Sequence, residues 1–219
     1  MAQRTKYTTP IGKLGYPCAI AEPDAKYADD KNEHDLGEFK ARLILPKDAP
    51  GTKAFIGMLE GLWAQHLAEV QVTLGKKKPK VDDESLPWSD EKDRETEEPT
   101  GNVVIRAKLK ARVELKNNPK KPYFDQRPKV FDAKGVLVAT VPAIGAGSKV
   151  RLSGQVNCWH TSKAGMTLWL EAVQLLELVE RGSQSADSFG FDKEDGFTQS
   201  EFPEEPVGAA GASTGGGDY

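Results

Sequence analysis

The sequence predicts an all-β fold: a small closed or nearly closed β-barrel with one amphipathic helix, followed by a disordered acidic C-terminal tail. Three observations carry this. Several segments alternate apolar and polar residues with the period of two that a half-buried strand needs. Only one segment has the three-and-four spacing of a helix, so no βαβ alternation exists, which argues against a doubly wound sheet. Hydrophobic residues make up 38% of the 219 residues, below the usual globular share, so part of the chain is expected not to fold.

Taken in order, residues 1–15 read as loosely ordered, and Tyr16 to Ala21 as a short strand. Glu22 to Asp35 is polar and turn-rich. From Gly37 to Leu45, Phe39, Ala41, Leu43 and Leu45 fall on one face and Lys40 and Arg42 on the other, a half-buried strand stopped by Pro46. The helix follows. Phe55, Leu59, Leu62, Trp63, His66, Leu67 and Val70 share a face, with Thr52 as the expected N-cap, Gly75 as the stop and Lys76, Lys77 and Lys78 at the negative end of the dipole. Residues 82–98 hold nine acids and two bases and read as a solvated loop, which Trp88 could anchor.

The clearest strand runs from Val103 to Leu115. Val103, Ile105, Ala107, Leu109, Ala111, Val113 and Leu115 point inward. Val104, Arg106, Lys108, Lys110, Arg112 and Glu114 stand between them. Lys129–Asp132 and Val136–Val141 flank a turn and read as a hairpin. Val150, Leu152, Val156 and Cys158 form a second inward row, opposite Lys149, Arg151, Ser153, Gln155, Asn157 and Trp159. The last strand spans Met166 to Val179. Past Gly182, residues 183–219 carry eight acids and one base. They have no periodicity that could bury enough apolar area to offset ordering entropy. Two domains are thus expected, a folded body over 1–182 and a flexible tail over 183–219. Net charge is −3 overall, yet −7 in the tail and +4 in the body.

No apolar run approaches the roughly 20 residues of a membrane span, and the first residues lack the apolar core of a signal peptide. Cys18 and Cys158 are too few for a disulfide framework, so a reducing, intracellular setting is expected. His34, His66 and His160 make no ligand pair, and His66 reads as a core or rim histidine. Gly145 to Lys149 reads as a tight turn rather than a phosphate loop, and nothing sets a serine or cysteine against a histidine. No enzyme, metal or cofactor is expected.

Cations and rings remain. Sequence-tolerant binding of single strands needs cations along the phosphates and flat rings beneath the bases. Arg106, Lys108, Lys110 and Arg112 supply the first, extended by Lys116, Lys120, Lys121, Arg127 and Lys129; residues 103–134 hold ten bases and three acids. Tyr123 and Phe124 lie within that stretch. Trp159 ends the outward row that contains Arg151, and Trp169 sits opposite the parity of Leu168 and Leu170. The plain alternatives are a solvated sheet face for the basic row and packing under a loop for Tyr123 and Phe124. Trp63 reads as core.

Four stretches, Ala19–Asp24, Gly37–Pro46, Val141–Val150 and Val156 through Trp159 to Leu178, lie in an order and spacing that resembles one family. It is the OB-fold single-stranded DNA-binding proteins of tailed bacteriophages, of the short type with an acidic tail. The resemblance implies an OB-fold-like barrel that holds single-stranded DNA in phage replication, recombination and repair, in the cytoplasm of the infected host. The DNA-binding side chains expected at Arg106, Lys108, Lys110, Arg112, Tyr123, Phe124, Lys129, Arg151, Trp159 and Trp169 rest on the residue reading above. The resemblance also implies a tail that competes with DNA and contacts phage DNA polymerase and helicase–primase through Asp218 and Tyr219. A homodimer stays open; no membrane or cofactor is expected. Two rival readings are an RNA chaperone and a protein-interaction adaptor acting through the tail.

Overall fold

In the computed structural model, residues 5–26, 28, 34–81, 83–93, 95–115 and 122–181 are described. The expected tail, with Asp218 and Tyr219, and the lysines at 116, 120 and 121 lie outside them.

Ten strands and one helix follow in the order β1 (Lys6–Thr8), β2 (Gly12–Asp24), β3 (Glu38–Pro46), α1 (Pro50–Leu74), β4 (Trp88–Lys92), β5 (Pro99–Lys110), β6 (Arg112–Glu114), β7 (Tyr123–Asp125), β8 (Lys129–Phe131), β9 (Lys149–His160) and β10 (Ala164–Glu177). The strands pair as β9–β2–β3–β5–β10, and β10 returns to β9, closing a five-stranded circuit. That is the OB-like barrel the alternating segments predict. β1 adds to the outside of β9 and β8 to β10, while β4 lies along β5.

The inward rows close the barrel. Phe39 stands opposite Leu109, Ala41 opposite Ala107, Leu43 opposite Ile105 and Leu45 opposite Val103. All eight are buried, as are Val150, Leu152, Val156, Leu168 and Leu170. α1 lays Phe55 and Leu59 on the core, with Leu62 and Trp63 partly buried beside them. Gly75 stops the helix with φ 63°, as expected.

Several expectations are corrected. Residues 1–15 are not loose throughout: β1 pairs with β9, and Tyr7 is buried, donating from Oη to the Trp169 carbonyl at 3.1 Å. A single aromatic holds this strand by packing near Phe55, a meeting that no local pattern announces. β2 is a 13-residue strand, longer than Tyr16–Ala21: Gly12, Gly15 and Pro17 break its alternation, and it keeps pairing with β3 on either side of a register shift between Gly15 and Ala19. Thr52 does not cap α1. Ala49 is the N-cap with Pro50 behind it, and the buried Thr52 Oγ1 has no partner; proline at the first helical position needs no donor there.

The acidic segment is not a loop throughout. It makes a 3-10 turn at Asp83–Ser85 and then β4, which pairs antiparallel with β5 and brings Trp88 against the core. Val104, paired with Ser89 of β4, is fully buried on the face expected to be outside. The long strand ends at Lys110. Ala111 donates to the Gly37 carbonyl and accepts from the Gln126 amide, and Val113 beyond the break is exposed. Gly37 fits there with φ 81°, where a Cβ would collide with the Asp24 carbonyl. Of the second hairpin, β8 forms, but 136–141 contributes a single bridge from Leu137 to Phe131 instead of a strand.

Candidate nucleic-acid interface

The outer face of the β3–β5 pair carries a ladder of charges. Glu38 stands opposite Lys110, Lys40 opposite Lys108 and Arg42 opposite Arg106, repeating at about 6.8 Å because two strand residues separate each rung. Lys40 reaches Asp24 at 3.1 Å, and Lys108 reaches Glu38 at 3.4 Å. The third rung differs. Arg42 donates to the Tyr16 carbonyl at 3.3 Å; Arg106 donates to Ser89 Oγ and to the Leu86 carbonyl, both at 2.8 Å. These acceptors are neutral. Among the described residues, neither arginine has a carboxylate within salt-bridge distance. Burial and the nearby Arg42 lower the Arg106 pKa, partly opposed by Glu84, but a guanidinium stays protonated in a protein. Two like charges directly opposite on a sheet destabilise it, so this rung favours an anion.

Beside the cations runs a row of aromatic surface on β9 and β10. Trp159 lies over Gly165, where an added Cβ would collide with the indole, and its Nε1 donates to Thr167 Oγ1 at 3.2 Å. Only a glycine lets the ring lie this close to the strand. From behind, the His66 ring meets the Trp159 carbonyl at 3.2 Å. A groove of about 580 Å³ opens here, lined among others by Pro17, Arg42, Leu86, Arg106, Trp159 and Met166. Two residues further along β10 from Thr167, Trp169 pairs with Lys108. It borders a second cavity of about 530 Å³ with Leu109, Lys110, Val113, Phe124 and Gln126. Glu38, Lys108 and Thr167 line both.

The structure therefore brings together Arg106, Lys108 and Trp159 in the first cavity, and Lys108, Lys110, Phe124 and Trp169 in the second. It places the other candidates elsewhere. Arg112 makes a bidentate pair with Asp125, with Nη2 to Oδ2 at 2.9 Å, and lies 5.7 Å over the Tyr123 ring. Tyr123 in turn rests on His34 at 4.4 Å. These two brace the β6–β7 hairpin and line neither cavity. Lys129 is exposed on β8, opposite Ala172. Arg151 faces Gln174 with its Nε buried and without a partner. It is eight residues from Trp159, about 26 Å along the strand.

Residue reasoning missed Lys40, Arg42 and Tyr16. Alternation already put Lys40 and Arg42 on the outer face of β3; what it could not give was that β3 pairs with β5. Tyr16, 66% exposed, is drawn in only through its carbonyl and Arg42. The two thiols take no part: burial raises the pKa of both Cys18 and Cys158. Among the described residues, no three His, Cys, Asp or Glu side chains cluster to hold a metal, and no helix is long and apolar enough to cross a membrane. Chemically, the arrangement offers fixed cations beside flat rings, a surface for an anionic chain bearing planar groups.

Comparison with known proteins follows the same line. The family model described as single-stranded DNA-binding protein, bacteriophage T7, matches residues 11–178. The chain is 26% identical over 208 residues to the single-stranded DNA-binding protein of Enterobacteria phage T3, covering 89% of this chain and 86% of that one. To the corresponding protein of Escherichia phage T7 it is 25% identical over 206 residues, covering 89% and 85%. The crystal structure of the T7-encoded protein matches with a TM-score of 0.64 at 23% identity, over 90% of this chain and 99% of that one. The single-stranded DNA-binding protein of bacteriophage Enc34, solved in complex with single-stranded DNA, matches with a TM-score of 0.54 at 15% identity, over 81% and 89%. These two likenesses are of fold.

Proposed function

Because the chain belongs to the bacteriophage T7 single-stranded DNA-binding protein family, we propose that it is a non-enzymatic protein that binds single-stranded DNA along the outer face of β3, β5 and β10. The observation that carries this is the Arg42–Arg106 rung beside Trp159. A phosphate, with its one negative charge, sits between the two facing guanidiniums and offsets their repulsion, and a base stacks on the indole. Neither interaction reads sequence, which suits a protein that must coat any strand. The test is a titration of the full chain with fluorescent oligo-dT at several salt concentrations. Affinity falls with salt, and each neutralised phosphate adds about 0.7 to the log–log slope. A salt-independent affinity, or none, overturns the reading. A matched oligo-rU in the same series separates an RNA chaperone.

The finer role follows from that binding. The protein coats and protects single strands during phage replication, recombination and repair, in the cytoplasm of the infected host. Its tail of charge −7 competes with phosphates for the cations, and DNA releases Asp218 and Tyr219 to phage DNA polymerase and helicase–primase. What supports the competition is charge complementarity, with a tether that keeps the acids at roughly millimolar effective concentration. Neutralising the tail acids tightens DNA binding at about 50 mM salt more than at about 200 mM. Equal affinities at both would remove the autoinhibitory role.

A further inference from the structure

Behind the groove, α1 reaches β9 through a polar contact of its own. The edge of β9 is paired with β1 as far as Gln155, which stands opposite Lys6, and the Val156 amide then donates to the Thr5 carbonyl. Among the described residues, no strand follows β1 along that edge. Four residues beyond Gln155, the Trp159 carbonyl meets the His66 ring, with Nε2 at 3.2 Å. A carbonyl only accepts, so Nε2 carries the proton and donates; the imidazole stands where the amide of a neighbouring strand would. The imidazole is itself held. Leu59 and Val70, which flank it along α1, are buried, Trp63 packs half-buried against the core, and the His66 ring lies 5.7 Å from that of Trp63 at 35°. At its far end the Trp159 indole is fixed by the Thr167 hydroxyl and by the bare face of Gly165.

Resting on the reading of Trp159 as the ring on which a base stacks, we propose that His66 is a positioning residue for single-strand binding. Through its Nε2–H it holds the Trp159 peptide, so that the indole lies over Gly165 before a base arrives. The core sets Trp63, Trp63 sets the imidazole, and the imidazole sets the backbone of Trp159. His66 lines neither cavity; it acts only through the tryptophan. Without the bond, the peptide after Trp159 is free to turn at an edge that no strand covers, and the ring is carried off the glycine. A ring already fixed in its bound orientation loses less freedom when a base stacks on it, and the saving appears as affinity. A histidine that only sealed the helix against the barrel would need no polar partner. Here its donor is aimed at the peptide that carries the ring of the first cavity.

The test titrates the full chain with oligo-dT of about 16 nucleotides and corrects affinity for the folded fraction, which urea titration supplies. His66→Phe keeps a ring against Trp63 and removes the donor. It weakens binding roughly 2- to 10-fold, the share of one hydrogen bond, and less than Trp159→Ala does. His66→Gln sets an amide N–H at a similar reach and restores the parent affinity. In a Trp159→Ala background, His66→Phe makes no further difference. Isotope-labelled histidine in the parent protein gives a readout that needs no variant: NMR at about pH 8, where a free imidazole is neutral, finds the His66 proton on Nε2. A proton on Nδ1 overturns the bond. If His66→Phe binds like the parent while Trp159→Ala is impaired, the positioning role is overturned and the groove stands. Equal losses in His66→Phe and His66→Gln, or a loss that adds to that of Trp159→Ala, overturn it too, since the imidazole would then act by packing or apart from the indole. If Trp159→Ala is itself unimpaired, the groove reading falls and the positioning role with it.

Discussion

On the inner face of the β3–β5 pair, Leu43 meets Ile105 and both are fully buried; on the outer face one residue along, Arg42 meets Arg106, and among the described residues no carboxylate pairs with either. The same backbone hydrogen bonds hold both. Inside, every opposed pair removes apolar area from water and stabilises the fold by roughly 25 cal/mol per Å². Outside, the opposed pair costs folding energy and is retained only if something else uses it. The difference shows that alternation divides a strand into one face that answers to stability and another that answers to a ligand, and that the two can be perturbed separately.

The largest expected effect is on the inner face. Leu43→Ala removes a fully buried side chain and costs about 2–5 kcal/mol of stability. Urea titration reads the loss, and DNA affinity corrected for the unfolded fraction stays near the parent value. A specific loss of affinity in the folded fraction would break the separation of the faces.

The outer-face counterpart is Arg42→Gln with Arg106→Gln. Single-strand affinity falls, and the salt slope drops by about 0.7 for each phosphate no longer neutralised. Stability falls by no more than about 1 kcal/mol, because relief of the facing charges partly offsets the lost hydrogen bonds to Tyr16, Leu86 and Ser89. A double variant that melts like a core mutant would make the rung structural.

Gly165→Ala sharpens the boundary, because it touches no cation. The new methyl displaces the Trp159 indole, so affinity drops by about the 1–3 kcal/mol of one stacked base. Trp159→Ala makes no further difference in that background. An additive loss would mean that the two residues act apart.

The smallest effects belong to the charges that line neither cavity. Lys129→Gln and Arg151→Gln leave affinity within about twofold and change the salt slope by less than the share of one phosphate, about 0.7. A change of that full size at either position would extend the interface around β8 and β9.

Much of this was legible in the residues. Phe39, Ala41, Leu43 and Leu45 announce their own burial, as do Ile105, Ala107 and Leu109, since a period of two is a property of any strand with one dry face. The parity of Trp159 against Val156 and Cys158 marks it as a ring outside the barrel wall. The helix and its Gly75 stop are equally local. The tail's charge is read from composition alone.

Position within a face was not legible. Arg151 and Trp159 share one row of β9, yet Trp159 opens onto the groove while Arg151 lies against Gln174 some 26 Å away. Arg112 continues the basic series of β5 in sequence, but the chain breaks at Ala111 and Asp125 takes its charge. Lys40 and Arg42 joined the site because β3 is the neighbour of β5, and the acidic segment became a strand because β5 had an edge to offer it. Sequence determines periodicity, and with it which face of each element is wet, because that preference is settled between a residue and its nearest chain neighbours. Which wet faces lie side by side, and which charges meet a partner there, depends on strand pairing between residues far apart in the chain, and only the closed barrel decided it.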